Sequence, residues 1–305
     1  LKDVIKDSMV LVLGVTNPQN VKYAVENNVS LTCPSKEWLE ESLAQSQQIE
    51  GKLKIHVKID TGMGRIGTSD LEELKGIDNL LDSEKLDFEG IFSHYSNADG
   101  DDDNYDNYQT ENFENSLNVF THKPKYIHIE NSAGTVKYSD REDRYNLSRI
   151  GITLYGCYPS GNIEKLDKVQ LEPVASLISK VTHVKKFLAG QKLGYGISYE
   201  AKQDEYIATV PIGYADGLLR RAQGFKVRVG SEECEIVGRV CMDQLMVRCS
   251  ENVKVGDDVL FFGEYNGQKV SVDAFAEYQN TISYEIFCCI NKRVPRVYYK
   301  NKMEL

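Results

Sequence analysis

A chain of 305 residues with 41% hydrophobic and 27% charged side chains has the composition of a globular protein, which excludes a fibre or a disordered polymer and allows two domains with full cores. A formal net charge of -10 argues against nucleic acid as the main partner, because a polyanion needs a basic face. No apolar run reaches membrane-spanning length and no signal-peptide pattern lies at the start, so no membrane partner is expected. The seven cysteines are odd in number and contain no CxxC pair; this predicts reduced thiols in a cytoplasmic protein, with neither a disulfide framework nor a metal site.

The first half alternates strand-like and helix-like segments. Residues 9–13 are an apolar run, 20–27 have helical spacing, and 29–32 are a short strand candidate. Pro34-Ser35 opens a helix over 37–45, with Leu39 and Leu43 on one face. Residues 53–59 alternate strictly, and Gly62, Gly64 and Gly67 follow. A helix is predicted over 70–81, a strand over 88–94, an acidic solvated loop over 101–103 and a helix over 108–120. Strands over 126–130 and 149–155 complete this half. Strands spaced by helices predict parallel βαβ units. Six candidates fall short of the eight that a (β/α)8 TIM-type barrel requires. The fold expected is therefore an open sheet, or such a barrel whose first two βα units lie before Leu1, with strands 3–8 within residues 1–169.

From residue 170 onward the pattern becomes short strands with few helices: 174–187, 206–212, 225–229, 235–237, 245–248, 259–262 and 270–272. Asn266-Gly267 is a hairpin signal. A short helix over 273–278 and a last strand over 293–299 follow. Residues 170–305 are thus expected to be an all-β or β-rich second domain.

Polar residues sit where barrel chemistry sits, at the C-terminal ends of the predicted strands: Lys58 and Asp60, then His94, then His128, Asn131 and Ser132, then Arg149. Arg149 followed by Gly151 suggests an arginine aimed at a ligand beside bare backbone N–H groups that hold an anion. An arginine at a sheet edge paired with a carboxylate fits the same letters. Either histidine alone fits a satisfied core residue, Ser132 fits a helix N-cap, and Tyr284 alone fits a packed core aromatic.

Several longer strings are more specific. They are Ile59-Asp60-Thr61-Gly62-Met63-Gly64-Arg65-Ile66-Gly67, Asn131-Ser132-Ala133, Arg149-Ile150-Gly151, Gly194-Tyr195-Gly196, Val210-Pro211-Ile212-Gly213-Tyr214-Ala215-Asp216-Gly217, Gly238-Arg239-Val240-Cys241-Met242-Asp243-Gln244 and Ile282-Ser283-Tyr284-Glu285. In this order they closely resemble bacterial alanine racemases, across essentially the whole chain. The resemblance implies a pyridoxal 5′-phosphate (PLP) enzyme with a barrel and a β-rich C-terminal domain. It also implies a head-to-tail homodimer in which each active site draws residues from both subunits. The implied reaction is interconversion of L- and D-alanine by two bases, supplying D-alanine for peptidoglycan.

Carried over by motif, Ser132, the backbone of Gly151 and Ile152, and Tyr284 would hold the cofactor phosphate, with Asn131 beside them. Arg149 would face the pyridine nitrogen, oriented by His128, and His94 would lie under the ring. Tyr195 from the partner would be one base. Arg65 and the Met242 N–H would hold the substrate carboxylate, and Tyr214 and Asp243 would shape access. Lys58 matches a position that is carbamylated in several family members and helps hold Arg65; pairing of Lys58 with Asp60 or another acid stays open. The family's cofactor lysine lies in a run of Lys-Ala-Asn-Ala-Tyr-Gly-His-Gly type, and no such run occurs here. The missing run and the missing strands together lead to the expectation that an N-terminal piece is absent from this sequence. A racemase of serine or of broader specificity remains an alternative, as does a non-catalytic PLP-binding barrel or an inactive fragment. A barrel-type PLP decarboxylase is disfavoured, because its triple-glycine phosphate loop and its late cysteine in an acidic motif do not occur.

Overall fold

In a computed structural model, which describes residues 8–140, 145–300 and 303–304, the alternating first half folds as five parallel strands paired in sequence order. The elements are β1 (Val10–Val12), α1 (Val21–Glu26), β2 (Val29–Cys33), α2 (Lys36–Ser46), β3 (Leu53–Lys58), α3 (Leu71–Leu80), β4 (Leu86–Phe92), α4 (Asn104–Leu117), β5 (Tyr126–His128), α5 (Ser132–Lys137) and α6 (Gly161–Lys165). They belong to one compact unit, Leu1–Gly151 with Tyr158–Gln170. The strict alternation of β3 has two destinations. Leu53, Ile55 and Val57 join Leu39, Leu74, Ile77 and Phe113 in the apolar core on the helical side. Lys54, His56 and Lys58 take the other face, where His56 and Lys58 are nonetheless buried.

The β3–β4 register carries a bulge. Ile55 faces Phe88 and His56 faces Gly90, so Glu89 is the extra residue. A bulge of this kind re-aims a side chain, and Glu89 turns toward His56, with Glu89 Oε2 3.2 Å from His56 Nε2.

Three expectations for this half are corrected. Residues 149–155 are not a sixth strand: residues 149–151 have no ladder partner, and a 3-10 helix, Ile152–Tyr155, follows. The segment meets the residues that follow β5 through single bonds, Arg149 N–H to Glu130 O at 3.1 Å and Gly151 N–H to Ser132 Oγ at 2.8 Å. A side-chain oxygen stands where a strand would offer a carbonyl, so no ladder propagates. Ser132 is not the helix cap. Asn131 is, accepting the Gly134 N–H at 2.9 Å, and Ser132 is the first helical residue. Finally, α4 begins at Asn104 rather than at residue 108, because its polar first turn lacks the apolar periodicity that marks a helix in sequence.

The second unit is Ile152–Cys157 with Leu171–Leu305. Its elements are β6 (Leu177–Lys180), β7 (His183–Phe187), β8 (Lys192–Leu193), β9 (Tyr199–Glu200), β10 (Glu205–Val210), β11 (Lys226–Val229), β12 (Glu232–Val237), β13 (Leu245–Cys249), β14 (Asp258–Tyr265), β15 (Gln268–Val270), α7 (Val272–Tyr278), α8 (Ser283–Cys289), β16 (Tyr299–Lys300) and β17 (Met303–Glu304). Most strands form one antiparallel sheet in the order β15-β14-β11-β12-β13-β10-β7, with β6 on β14. Val227, Ile236, Val247, Phe261 and Phe275 fill its core. The Asn266-Gly267 turn is a left-handed pair, φ 47° and 74°, as a tight hairpin requires.

The long strand expected over 174–187 is cut in two. The Val181 N–H leaves for Asp257 O at 2.9 Å and the Thr182 N–H for Thr209 O at 2.9 Å. The last strand expected over 293–299 is mostly loop, because the Arg296 guanidinium donates to the carbonyls of Ile290, Asn291 and Val294 and winds that segment round itself. Ile152–Cys157 groups with this unit, where the Tyr155 and Phe287 rings meet at 5.0 Å. Among the described residues no helix is long and apolar enough to cross a membrane.

Gly90 makes room for His56: a Cβ there would sit 2.1 Å from His56 Nδ1. Gly90→Ala is expected to destabilise by about 1–3 kcal/mol through overpacking, read as a lower denaturation midpoint. An unchanged midpoint would mean that the His56 ring does not occupy this position.

Candidate active site

Lys58 ends β3 as a buried amine, 2% exposed. Its Nζ donates to Ile59 O at 2.6 Å and lies 5.6 Å from the Phe92 ring centre. Burial pulls its pKa down to about 8, with the Asp60 carboxylate opposing and Arg149 and Arg65 assisting. Asp60 is not its ion-pair partner; Asp60 Oδ1 instead accepts the N–H groups of Gly62 and Gly64, each at 3.0 Å. That pins the glycine turn which carries Arg65. Arg65 is exposed, and no described residue takes a hydrogen bond from it.

Arg149 is the hub of the unit. Its Nη1 donates to His128 Nδ1. Its Nη2 faces Ser93 O at 2.8 Å, Ile129 O at 3.0 Å and His94 Nδ1 at 3.1 Å. The carbonyls come from the ends of β4 and β5, where a parallel ladder stops and its last oxygens point onward. The guanidinium carbon sits 5.3 Å from the Phe92 ring centre, and Phe92 in turn stacks on His128 at 4.8 Å. Burial lowers the Arg149 pKa to about 10, so it stays charged at neutral pH. Four acceptors against five N–H groups leave a donor for a ligand.

The same burial, followed by the charge of Arg149, drives the His94 pKa down to about 4 and that of His128 down to about 2. Both rings are therefore neutral and can accept. Asn131 Nδ2 donates to Tyr95 O at 3.1 Å while its oxygen caps α5. Ser132 Oγ accepts the Gly151 N–H, as above, and a Cβ on Gly151 would meet only that oxygen, at 3.8 Å. Lys58, His94, His128 and Arg149 are thus brought together with the Asn131-Ser132 turn and Gly151. Ile152 and Tyr284 belong to the second unit, Ile152 buried and Tyr284 38% exposed at the start of α8.

The second unit gathers the other predicted residues. Tyr195 opens a 3-10 turn, Tyr195–Ile197, set by Gly194 at φ 78° and Gly196 at φ 69°. A Cβ on Gly196 would lie 2.8 Å from Arg239 Nη1, so the turn rests against the strand end that leads to Met242. The Tyr214 N–H donates to Cys241 O at 3.1 Å and the Ala215 N–H to Met242 O at 2.8 Å. Tyr195 (69%), Tyr214 (48%) and Met242 (55%) are exposed, with Asp243 exposed beside them. The Met242 N–H donates to no described residue.

Two residues at the first site escape a reading of the sequence, His56 and Glu89. His56 lies two residues before Lys58 on the same alternation, which was the available signal. The turn of Glu89 depends on a bulge that no local pattern shows.

Acid should unfold this protein in a way that follows from these rings. Below pH 6.5 the unfolded chain protonates His56, His94 and His128, while the folded chain, with all three lowered, resists. Stability should fall with acidification by roughly 1.4 kcal/mol per pH unit for each ring held neutral. His122 has the opposite sign: hydrogen bonds to Asp78 and Asp82 raise it above 6.5, so its contribution is present at acid pH and lost as pH rises through its folded value. The expected result is a lower denaturation midpoint at pH 5 than at pH 7, with NMR showing His122 titrating above 6.5 and His56, His94 and His128 below it. A midpoint independent of pH would overturn the assignment.

Residues 2–159 match the family model for the alanine racemase N-terminal domain, and residues 174–298 that for the C-terminal domain. An alanine racemase of Anoxybacillus flavithermus is 42% identical, over 99% of this chain and 78% of the relative. The crystal structure of alanine racemase from Bacillus anthracis with bound L-Ala-P superposes with a TM-score of 0.90 at 39% identity, covering 98% of this chain and 78% of that one. A histidine racemase from Leuconostoc mesenteroides has a TM-score of 0.84 at 27% identity, over 93% of this chain and 76% of its own. The chain belongs to the alanine racemase family.

Proposed function

We propose that this protein interconverts L- and D-alanine with pyridoxal 5′-phosphate, as a homodimer in the cytoplasm, and that its D-alanine feeds peptidoglycan synthesis. The observation that carries the reading is Arg149, a buried guanidinium with its acceptors fixed and a donor to spare. The donor set suits the cofactor. Ser132, the backbone at Gly151 and Ile152, and Tyr284 are neutral donors fit for a phosphate, with Asn131 setting the turn beneath them. When bound, the cofactor supplies an electron-withdrawing ring that acidifies the substrate Cα–H.

The chain's own residues decide how that acidity is used. Arg149 would donate to the pyridine nitrogen and, unable to give up its own proton, would leave that nitrogen an acceptor and the ring a moderate electron sink. Inversion at Cα needs no more, and a moderate sink limits protonation at the wrong carbon. His94 and His128 hold the guanidinium. Arg65 and the unengaged Met242 N–H bind the substrate carboxylate. The Tyr195 phenol would move the proton on one face of Cα; the family's cofactor lysine, matched by no run of this chain, would serve the other. Tyr214 and Asp243 border the access path. Lys58, a buried amine near neutrality among arginines, is suited to carbamylation, which turns a repelling group into an anion that steadies Arg65. Residues 1–169 are read as the cofactor domain, and residues 170–305 as the domain that lends Tyr195, Tyr214 and Met242 to the partner's site. Their exposure supports that role.

Tyr195→Phe in the full-length enzyme is expected to cut kcat about 100-fold or more in at least one direction; unchanged turnover both ways would overturn the role. Mixing Tyr195→Phe with Arg149→Ala subunits should restore about a quarter of normal activity if sites are shared across a two-fold dimer. Recovery of none would separate the sites. The structural likeness to a histidine racemase supports a second reading, broader substrate choice, because few contacts set pocket size. Relative turnover on alanine, serine and histidine decides between the two.

A further inference from the structure

Arg149 can only donate. Its Nη1–H therefore needs the lone pair on His128 Nδ1, and this puts the His128 proton on Nε2. His128 Nε2 lies 2.8 Å from His56 Nδ1, so the N–H donates onward and His56 must likewise carry its proton on Nε2. That nitrogen faces Glu89 Oε2 at 3.2 Å, and an ionised carboxylate only accepts. Ser30 Oγ donates to the same oxygen, and Lys54 Nζ stands 3.5 Å from Glu89 Oε1. A donor-only group at one end and an acceptor-only group at the other leave a single arrangement of protons for both rings.

The row is dry. His56 and His128 are 0% exposed and Glu89 is 7% exposed. Phe92 stacks on His128, and Tyr126 stacks on His56 at 6.1 Å. The β4 bulge and the bare Cα of Gly90 exist at the one point where Glu89 and His56 must meet. Because a guanidinium keeps its proton, the row cannot conduct one. It can only orient.

We propose that Glu89 and His56 are positioning residues of the racemase site, fixing the tautomer of His128 and through it the orientation of the Arg149 guanidinium. This rests on the proposed function for its kinetic consequence only; the proton arrangement stands on the protein alone.

The test begins with long-range ¹H–¹⁵N NMR of the histidine rings in the wild-type protein without cofactor. Both rings are expected to be neutral and protonated on Nε2. A His128 ring protonated on Nδ1, or on both nitrogens, overturns the proposal. Glu89→Leu removes the terminal acceptor and is expected to abolish the single-tautomer signature of His56 and His128. In the full-length enzyme it should lower kcat about tenfold or more in both directions, with KM for alanine changed less than about twofold, as loss of an outer-shell partner does. Glu89→Gln keeps the shape and one acceptor oxygen and should recover the tautomers and most of the rate. Glu89→Leu with wild-type tautomers and kcat overturns the proposal. If that variant does not fold, the wild-type tautomers decide. A wild-type enzyme with these tautomers that racemises no alanine overturns the proposed function and leaves the proton arrangement in place.

Discussion

A guanidinium has five N–H donors and no acceptor, so whatever encloses a buried Arg149 has to accept. That constraint runs through the first unit. It draws the last carbonyls of β4 and β5 inward, at Ser93 and Ile129. Burial first, and then the charge of Arg149, keep His94 and His128 neutral. Burying a charge costs several kcal/mol unless it is well bonded, and here four acceptors and the Phe92 face offset that cost.

The sequence disclosed the parts with local signatures. Alternation in residues 53–59 gave β3 and put Lys58 on its polar face. Asn266-Gly267 gave its hairpin. The motif strings carried Arg65, Arg149, Tyr195 and Met242. What stayed hidden depended on distant partners. Residues 149–155 read as β-prone, yet a hydroxyl on Ser132 replaced the ladder. The segment 293–299 read as a strand, yet Arg296 consumed the carbonyls behind it. Glu89 lies inside a predicted strand with no local signal of its own, and only a one-residue offset against β3 turned it inward.

The second unit solves a different problem. Tyr195, Tyr214 and Met242 lie on turns whose glycines are dictated by space: Gly213 could not carry a Cβ, which would lie 2.3 Å from Cys241 O. The turns are fixed by backbone bonds while their side chains stand in solvent. A rigid loop with large exposed side chains is organised for something outside its own unit, and on the proposed reading that is the neighbouring subunit's substrate.

The polar column on β3 has a consequence for assembly of the sheet. Strand pairing has a period of two, so a slip by one residue exchanges the faces. Here it would drive Lys54, His56 and Lys58 into the apolar layer among Leu39, Leu74 and Phe113, leaving two buried amines and an imidazole without partners, at a penalty far above that of one misplaced leucine. The residues that make the site therefore also proofread the strand register, and a chain that has mispaired β3 is marked for disassembly by the same side chains that would have served the site.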